Sequence, residues 1–256
     1  TLEKAKQPLV ADRDYGEPLS ITNSFGVPSR PPPVWQEDAK KAVASAGIGQ
    51  AMIMSFMGTV QDGQTADDFV ADFAKAAELS LASGAKIYEA NLSCPNIGNE
   101  GLVCYNLDMT ERVCAALRKA LGEAPLLVKV GYYQDNSDIE ELARIVKKYA
   151  QGISSINTIA APVVDKDGKQ ALPGSPVRLR SGVCGHAIKW AGVEMVQRLV
   201  EARKKMKADF VIVGCGGLTV PADYKEYRDA GADVVMTATG AMWNPYLARE
   251  IKSLYK

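Results

Sequence analysis

The run Asn91-Leu92-Ser93-Cys94-Pro95-Asn96 sets one thiol between two side-chain amides and a hydroxyl. A thiol with an ordinary pKa of about 8.5 can take a proton near neutrality when its surroundings favour thiolate. Cysteine is more often a small buried core residue. Cys94 differs in its polar neighbours and in the proline that follows it at a strand exit. Cys104, Cys114, Cys184 and Cys215 lack that setting and read as structural or backbone-site residues.

Leu126-Leu127-Val128-Lys129-Val130 brings a cation to the end of an apolar run, where an ammonium is costly unless it faces a charge. A fixed cation there suits negative charge that develops on a flavin ring as hydride arrives. A strand-end lysine reaching solvent is the alternative, and Lys129 alone leaves both open. Gly214-Cys215-Gly216-Gly217 and Thr237-Ala238-Thr239-Gly240 form two small-residue turns. Glycine lets backbone N–H groups approach an anion, and a helix N-terminus adds positive potential. Each turn could equally be only a tight reversal. Ser181-Gly182-Val183-Cys184-Gly185 is a third of the same kind, and three together suggest a mononucleotide cradle. His186 reads as the first residue of a helix.

The elements that position these residues follow from periodicity. Ala51 to Phe56 reads as a buried strand, followed by Thr65 as an N-cap with Asp67 and Asp68 in the first turn. Val70, Phe73, Ala77 and Leu81 recur at helical spacing, and Ser83-Gly84 stops the helix. Further strands are expected at Ile87–Leu92, Leu126–Val130, Ile153–Ile159, Phe210–Val213 and Val234–Thr237. Helices fall between them, and another runs from Gln36 to Ala46. Asp165-Lys166-Asp167-Gly168 looks like a hairpin turn. Such alternation argues for a parallel sheet covered by helices, with function at the carboxyl ends of the strands. About six units are legible, where a closed barrel needs eight. An open doubly wound sheet and a barrel without its opening strands both fit.

In these motifs the chain resembles the dihydroorotate dehydrogenases that use cysteine as base. Asn91 to Asn96 is similar to their signature. The likeness extends through Thr1-Leu2-Glu3, Asn23-Ser24-Phe25-Gly26-Val27-Pro28, the Lys129 strand, Asn157-Thr158, Ser181 to Gly185, Gly214 to Gly217 and Thr239. The resemblance implies an α/β fold, a (β/α)8 TIM barrel, and FMN held non-covalently. It implies oxidation of dihydroorotate to orotate, with Cys94 taking a proton from C5 while hydride leaves C6 for flavin N5. Asn23, Asn91, Asn96, Asn157 and Thr158 would bind the pyrimidine and its carboxylate, since an amide offers both donor and acceptor to an imide edge. Lys129, Ser181, Gly182, Gly185, Gly216, Gly217, Ala238 and Thr239 would hold the cofactor. No metal is implied.

In relatives a strand ending in a lysine lies just before the Thr-Leu-Glu stretch. The chain starting at Thr1 is therefore expected to lack that lysine and the first two strands. Lys4 to Tyr15 also lacks the usual Arg-x-Gly-Asn-Pro, and Ala238 stands where glycine is common. Residues 1–256 are expected to form one flavin-binding barrel domain with an irregular segment over 1–35. Ile97-Gly98-Asn99-Glu100-Gly101 is a candidate lid.

Composition bounds the alternatives. Thirty basic and thirty acidic residues leave no field to attract nucleic acid or a membrane surface. No apolar run approaches the roughly 20 residues that span a bilayer. An odd five cysteines without a Cys-x-x-Cys pair argue against a disulfide framework or zinc knuckle, and a lone histidine weakens a Ser-His-Asp triad. A cytoplasmic protein is expected. A homodimer and an electron-transfer subunit are the partners considered. A dihydropyrimidine dehydrogenase-like enzyme is a second reading, opposed by Asn96 where that family carries histidine. A non-catalytic FMN-binding barrel is a third.

Overall fold

Helix starts and stops punctuate the chain into repeated units. The computed structural model describes residues 9–10, 19–23, 29–59, 61, 63–93, 103–172 and 180–255, with 9, 10 and 23 as backbone only. Two short strands, β1 (Leu9–Val10) and β2 (Ser20–Asn23), precede helix α1 (Pro32–Ala44). Strand β3 (Ile53–Phe56) leads to α2 (Ala66–Leu81), β4 (Ile87–Asn91) to α3 (Leu107–Leu121), and β5 (Leu126–Val130) to α4 (Asn136–Tyr149). Strands β6 (Gly152–Ser155), β7 (Ile159–Val164) and β8 (Arg180–Gly185) then precede α5 (Lys189–Lys205). Strand β9 (Val211–Cys215), α6 (Pro221–Asp229), β10 (Val234–Met236), α7 (Thr239–Trp243) and α8 (Leu247–Leu254) complete the order.

Thr65 caps α2 reciprocally. The Asp68 amide donates to its hydroxyl at 3.2 Å, and its own amide donates to the Asp68 carboxylate at 3.1 Å. Asn106 accepts from the Met109 amide at 3.0 Å to start α3. The inward stripe of α2 carries Phe69, Phe73 and Ala77, while Leu81, expected on that stripe, is 41% exposed at the helix end.

Six strands form one parallel sheet in the order β3-β4-β5-β6-β9-β10. The order follows the chain without reversing. A doubly wound sheet must reverse at a switch point, so that alternative falls and the barrel type stands. The run Ile153–Ile159, expected as one strand, divides into β6 and the start of β7. Strands β7 and β8 leave the main sheet and pair antiparallel, joining β1 and β2 in the order β1-β7-β8-β2. The expected turn at Ser181 to Gly185 is therefore strand β8. The segment 1–35, expected to be irregular, supplies β1, β2 and the start of α1. Helices α7 and α8 are too short to leave a clear period in the sequence.

Parallel pairing aligns side chains on two faces of the sheet. Tyr88, Ala90, Leu126, Val128, Val130, Ile153 and Ile212 pack in one apolar cluster with Phe73, Leu117, Leu142, Met195 and Leu199 of the helices. The opposite, inner face carries Ser55, Glu89, Asn91, Leu127, Lys129, Ser154, Val213 and Cys215, in register across the strands. The apolar face anchors the strands, and the polar inner face is free for chemistry. Among the described residues, no helix is long and apolar enough to cross a membrane.

Candidate active site

Lys129 reaches the inner face because β5 alternates. Leu126, Val128 and Val130 are buried against the helices, which turns Leu127 and Lys129 the other way. Lys129 stands in register with Asn91 of β4 on one side and Ser154 of β6 on the other. Its ammonium lies 3.7 Å from the Cys215 sulfur. Burial works to lower its pKa, but the Cys215 sulfur and then the Glu89 carboxylate outweigh this and hold it above the usual lysine value. A cation is therefore kept on the inner face.

The exit of β4 is joined to that of β6 through side chains. The Asn91 carboxamide oxygen accepts from the Ser93 amide and hydroxyl, both at 3.1 Å. The Asn157 carboxamide nitrogen donates to the Ser93 carbonyl at 2.8 Å and its hydroxyl at 2.9 Å. The Asn157 carboxamide oxygen accepts from the Thr158 amide at 2.8 Å. Ser93, 1% exposed, is the hub of this network. Asn157 is thus engaged with the protein itself, while both amide hydrogens of Asn91 have no acceptor among the described residues.

The glycine turns meet at one cavity. Gly217 has φ +76° and Gly185 φ +86°, the left-handed region that favours glycine. A Cβ on Gly217 would sit 2.6 Å from the Lys189 backbone and 2.7 Å from the Gly185 carbonyl oxygen, so the two turns touch only as glycines. Tyr227 of α6 supports them from beneath, its hydroxyl donating to the Gly216 carbonyl. The cavity, about 90 Å³, is lined by Lys129, Asn157, Thr158, Gly185, Gly216, Gly217, Ala238 and Thr239. Ile156, Cys184, Ile188, Cys215 and Leu218 complete the lining.

Most expected cofactor residues therefore converge. Ser181 and Gly182 do not line this cavity. Ser181 is buried within β8, and Gly182 packs against Thr158, whose hydroxyl oxygen would lie 2.5 Å from a Cβ there. The backbone of Asn23 pairs with Gly182 in β2, and its side chain lies outside the described residues. Cys94, Asn96 and the expected lid 97–101 also lie outside them. Cys104 and Cys114 are fully buried, and burial pushes both thiols up to about 12, as suits structural residues.

Cys184 and Cys215 depart from the structural reading, since both line the cavity. Alternation in Val213-Gly214-Cys215 held the signal for Cys215, because β9 turns every second side chain to the inner face. Glu89 is a further inner-face residue that sequence reasoning missed. It lies on β4 with one carboxylate oxygen accepting from Ser55 at 2.9 Å.

A parallel sheet in unbroken chain order, with polar residues and glycine turns gathered at its strand exits, defines a β/α protein of the barrel type. The family model for dihydroorotate dehydrogenase matches residues 6–254, and the chain belongs to that family, whose fold is the TIM barrel. It is similar to a dihydroorotate dehydrogenase of Dictyostelium discoideum, 37% identical over 235 residues, covering 90% of this chain and 62% of the relative. A dihydroorotate dehydrogenase B (NAD(+)) catalytic subunit of Staphylococcus carnosus is 33% identical over 185 residues, 70% of this chain and 56% of the relative. The corresponding subunit of Brachyspira hyodysenteriae is 31% identical over 193 residues, 74% of this chain and 59% of the relative. The chain thus spans about three fifths of the length of these relatives.

Proposed function

We propose that this chain carries the catalytic site of an FMN-dependent enzyme that oxidises dihydroorotate to orotate in pyrimidine biosynthesis. The observation that carries the reading is the convergence of Lys129, Asn157 and the turns at Gly185, Gly216-Gly217 and Ala238-Thr239 on one cavity. These residues fit FMN on two grounds. Gly185 and Gly217, both at left-handed φ, pack backbone to backbone and bring main-chain groups to the cavity wall without side chains, which suits a phosphate. Lys129 supplies a cation whose neighbours hold it charged, which suits the anionic edge of a reduced flavin.

Gly185, Gly216, Gly217, Ala238 and Thr239 would hold the phosphate, with Ser181 and Gly182 supporting them from β8. Lys129 would face the ring. When bound, FMN supplies the acceptor for the hydride that leaves C6 of the substrate. Cys94 takes the proton from C5. Ser93, fixed by Asn91 and Asn157, immediately precedes Cys94 in the chain. Asn23, Asn91, Asn96, Asn157 and Thr158 bind the pyrimidine and its carboxylate; the two Asn91 amide hydrogens are suited to its oxygens.

The whole of 1–256 acts as one flavin-binding unit in this reading, and a homodimer is the expected assembly. The free thiols at Cys104, Cys114 and Cys215 suit a reducing, cytoplasmic setting. The Staphylococcus relative is by name the catalytic subunit of an NAD(+) enzyme, which supports an electron-transfer partner subunit.

The test is anaerobic addition of substrate to the FMN-loaded chain. Dihydroorotate is expected to bleach the flavin absorbance, and dihydrouracil is not. Bleaching by dihydrouracil alone would favour the dihydropyrimidine dehydrogenase-like reading. Bound FMN that neither compound bleaches would favour a non-catalytic barrel.

A further inference from the structure

Two polar atoms on the inner face are buried without a partner among the described residues: the second carboxylate oxygen of Glu89 and the hydroxyl of Ser154. Glu89 is 8% exposed and Ser154 fully buried. Buried polar groups are normally satisfied, and a carboxylate oxygen is the costliest to leave bare. Both orphans flank Lys129. Ser154 stands directly beside it in the β5–β6 register, and Glu89 lies one step down the same face of β4, opposite Leu127. The second Glu89 oxygen makes no direct bond to Lys129, whose ammonium instead has the Cys215 sulfur as its hydrogen-bond partner. A carboxylate and a hydroxyl thus flank the ammonium from β4 and β6, on a face that also carries Ser55, Asn91, Leu127, Val213 and Cys215.

We infer that Glu89 is a positioning residue for Lys129: its carboxylate, anchored by Ser55 and bridged through a water shared with Ser154, holds the ammonium charged and turned toward the flavin. The anchor is specific, since the Ser55 hydroxyl occupies one oxygen at 2.9 Å and leaves the other for the bridge. A bridging water needs two to four polar partners, and Glu89, Ser154 and Lys129 supply three. Among the described residues, the charged or titratable groups facing Lys129 are Glu89 from β4 and Cys215 from β9, while β3 and β6 present only the hydroxyls of Ser55 and Ser154. Glu89 is thus the one carboxylate among the described inner-face residues able to balance the cation. The physical gain is preorganisation: the cation is in place before the cofactor's charge develops, so it need not be recruited from solvent.

This inference rests on the flavin reading, and the experiment separates the two. Glu89→Gln keeps the shape and the bond from Ser55 but removes the charge. In the flavin-free chain, NMR of labelled lysine, assigned by the signal missing from Lys129→Met, is expected to show the Lys129 ammonium losing its proton at lower pH in Glu89→Gln than in the parent. FMN binding, followed by flavin fluorescence, is expected to weaken about tenfold, the strength of one charge-assisted hydrogen bond. In Lys129→Met, adding Glu89→Gln should weaken FMN no further, because Glu89 acts through the lysine.

An unchanged lysine titration overturns the proposal, as does a double variant that loses affinity by the product of the single losses. If the parent binds no FMN, the flavin reading fails while the lysine titration still decides the pairing. If Glu89→Gln does not fold, Glu89→Asp withdraws the charge by one methylene. It should move both readouts the same way by less, and an aspartate variant equal to the parent in both overturns the proposal.

Discussion

The Asn157 side-chain amide donates to both the carbonyl and the hydroxyl oxygen of Ser93, at 2.8 and 2.9 Å, tying the exit of β6 to the exit of β4 one residue before Cys94. Ser93 is in turn held by Asn91, so the residue before Cys94 is fixed from two strand exits. Asn157→Ala is expected to retain FMN yet slow flavin reduction by dihydroorotate about 100-fold, the scale on which a misplaced reacting group acts. Rapid-mixing absorbance under anaerobic conditions measures it. Reduction at the parent's rate would show that the Asn157–Ser93 tie does not position the base.

Packing beneath the glycine turns gives a second expectation. The Tyr227 ring passes Gly214 and Gly192 to reach the Gly216 carbonyl, and a Cβ on Gly192 would collide with the Tyr227 hydroxyl. Gly192→Ala therefore forces a fully buried, rigid ring to move, at a cost of about 1–3 kcal/mol. Tyr227→Phe leaves the Gly216 carbonyl without that donor, and should cost a similar 1–3 kcal/mol or so. Urea unfolding reads both. Gly192→Ala should also weaken FMN retention, because the ring supports the Gly216 turn. Parental stability in both variants would contradict this account of the packing.

Acid should loosen the same region. Asp223, 3% exposed, accepts from the Thr219 amide at 2.8 Å, the Val220 amide at 3.0 Å and the Lys189 ammonium at 2.9 Å. Burial works to raise its pKa, but the Thr219 amide, the Lys189 ammonium and the Val220 amide together hold it below the ordinary aspartate value of 3.8. A carboxyl with a depressed folded pKa contributes stability that is complete above 3.8 and is lost as pH falls through the lower folded value. Asp223→Asn is expected to be less stable at pH 7 by about 1.5–3 kcal/mol. Its difference from the parent should shrink as pH drops below 3.8. Urea midpoints across that range test it, and a difference independent of pH would contradict the assignment.

Much of the scaffold is legible because helix and strand leave different periods in sequence. Phe73 and Ala77 mark the buried stripe of α2, and Thr65 marks its start through a bond that needs only the side chain three residues on. Lys129 and the Gly216-Gly217 turn stand out because a charge in an apolar run and paired glycines are locally unusual. What stays hidden depends on distance in the chain. The Ser181 to Gly185 run looks like a turn on composition, and only pairing with β2 and β7 makes it a strand. Cys215 looks structural because its neighbour Lys129 is remote in sequence, and Glu89 gives no sign because Ser55 and Lys129 belong to other strands. The split of Ile153 to Ile159 into two strands is likewise invisible, since both halves are apolar.

In the proposed reaction Cys94 is the base acting on a pyrimidine beside a flavin. Its most direct test is anaerobic stopped-flow reduction of the FMN-loaded Cys94→Ala variant by dihydroorotate. Full FMN retention is expected, because the glycine turns are untouched, with flavin reduction slowed by about 10²–10⁴-fold, the range a general base contributes. Flavin reduction in Cys94→Ala as fast as in the parent would contradict it.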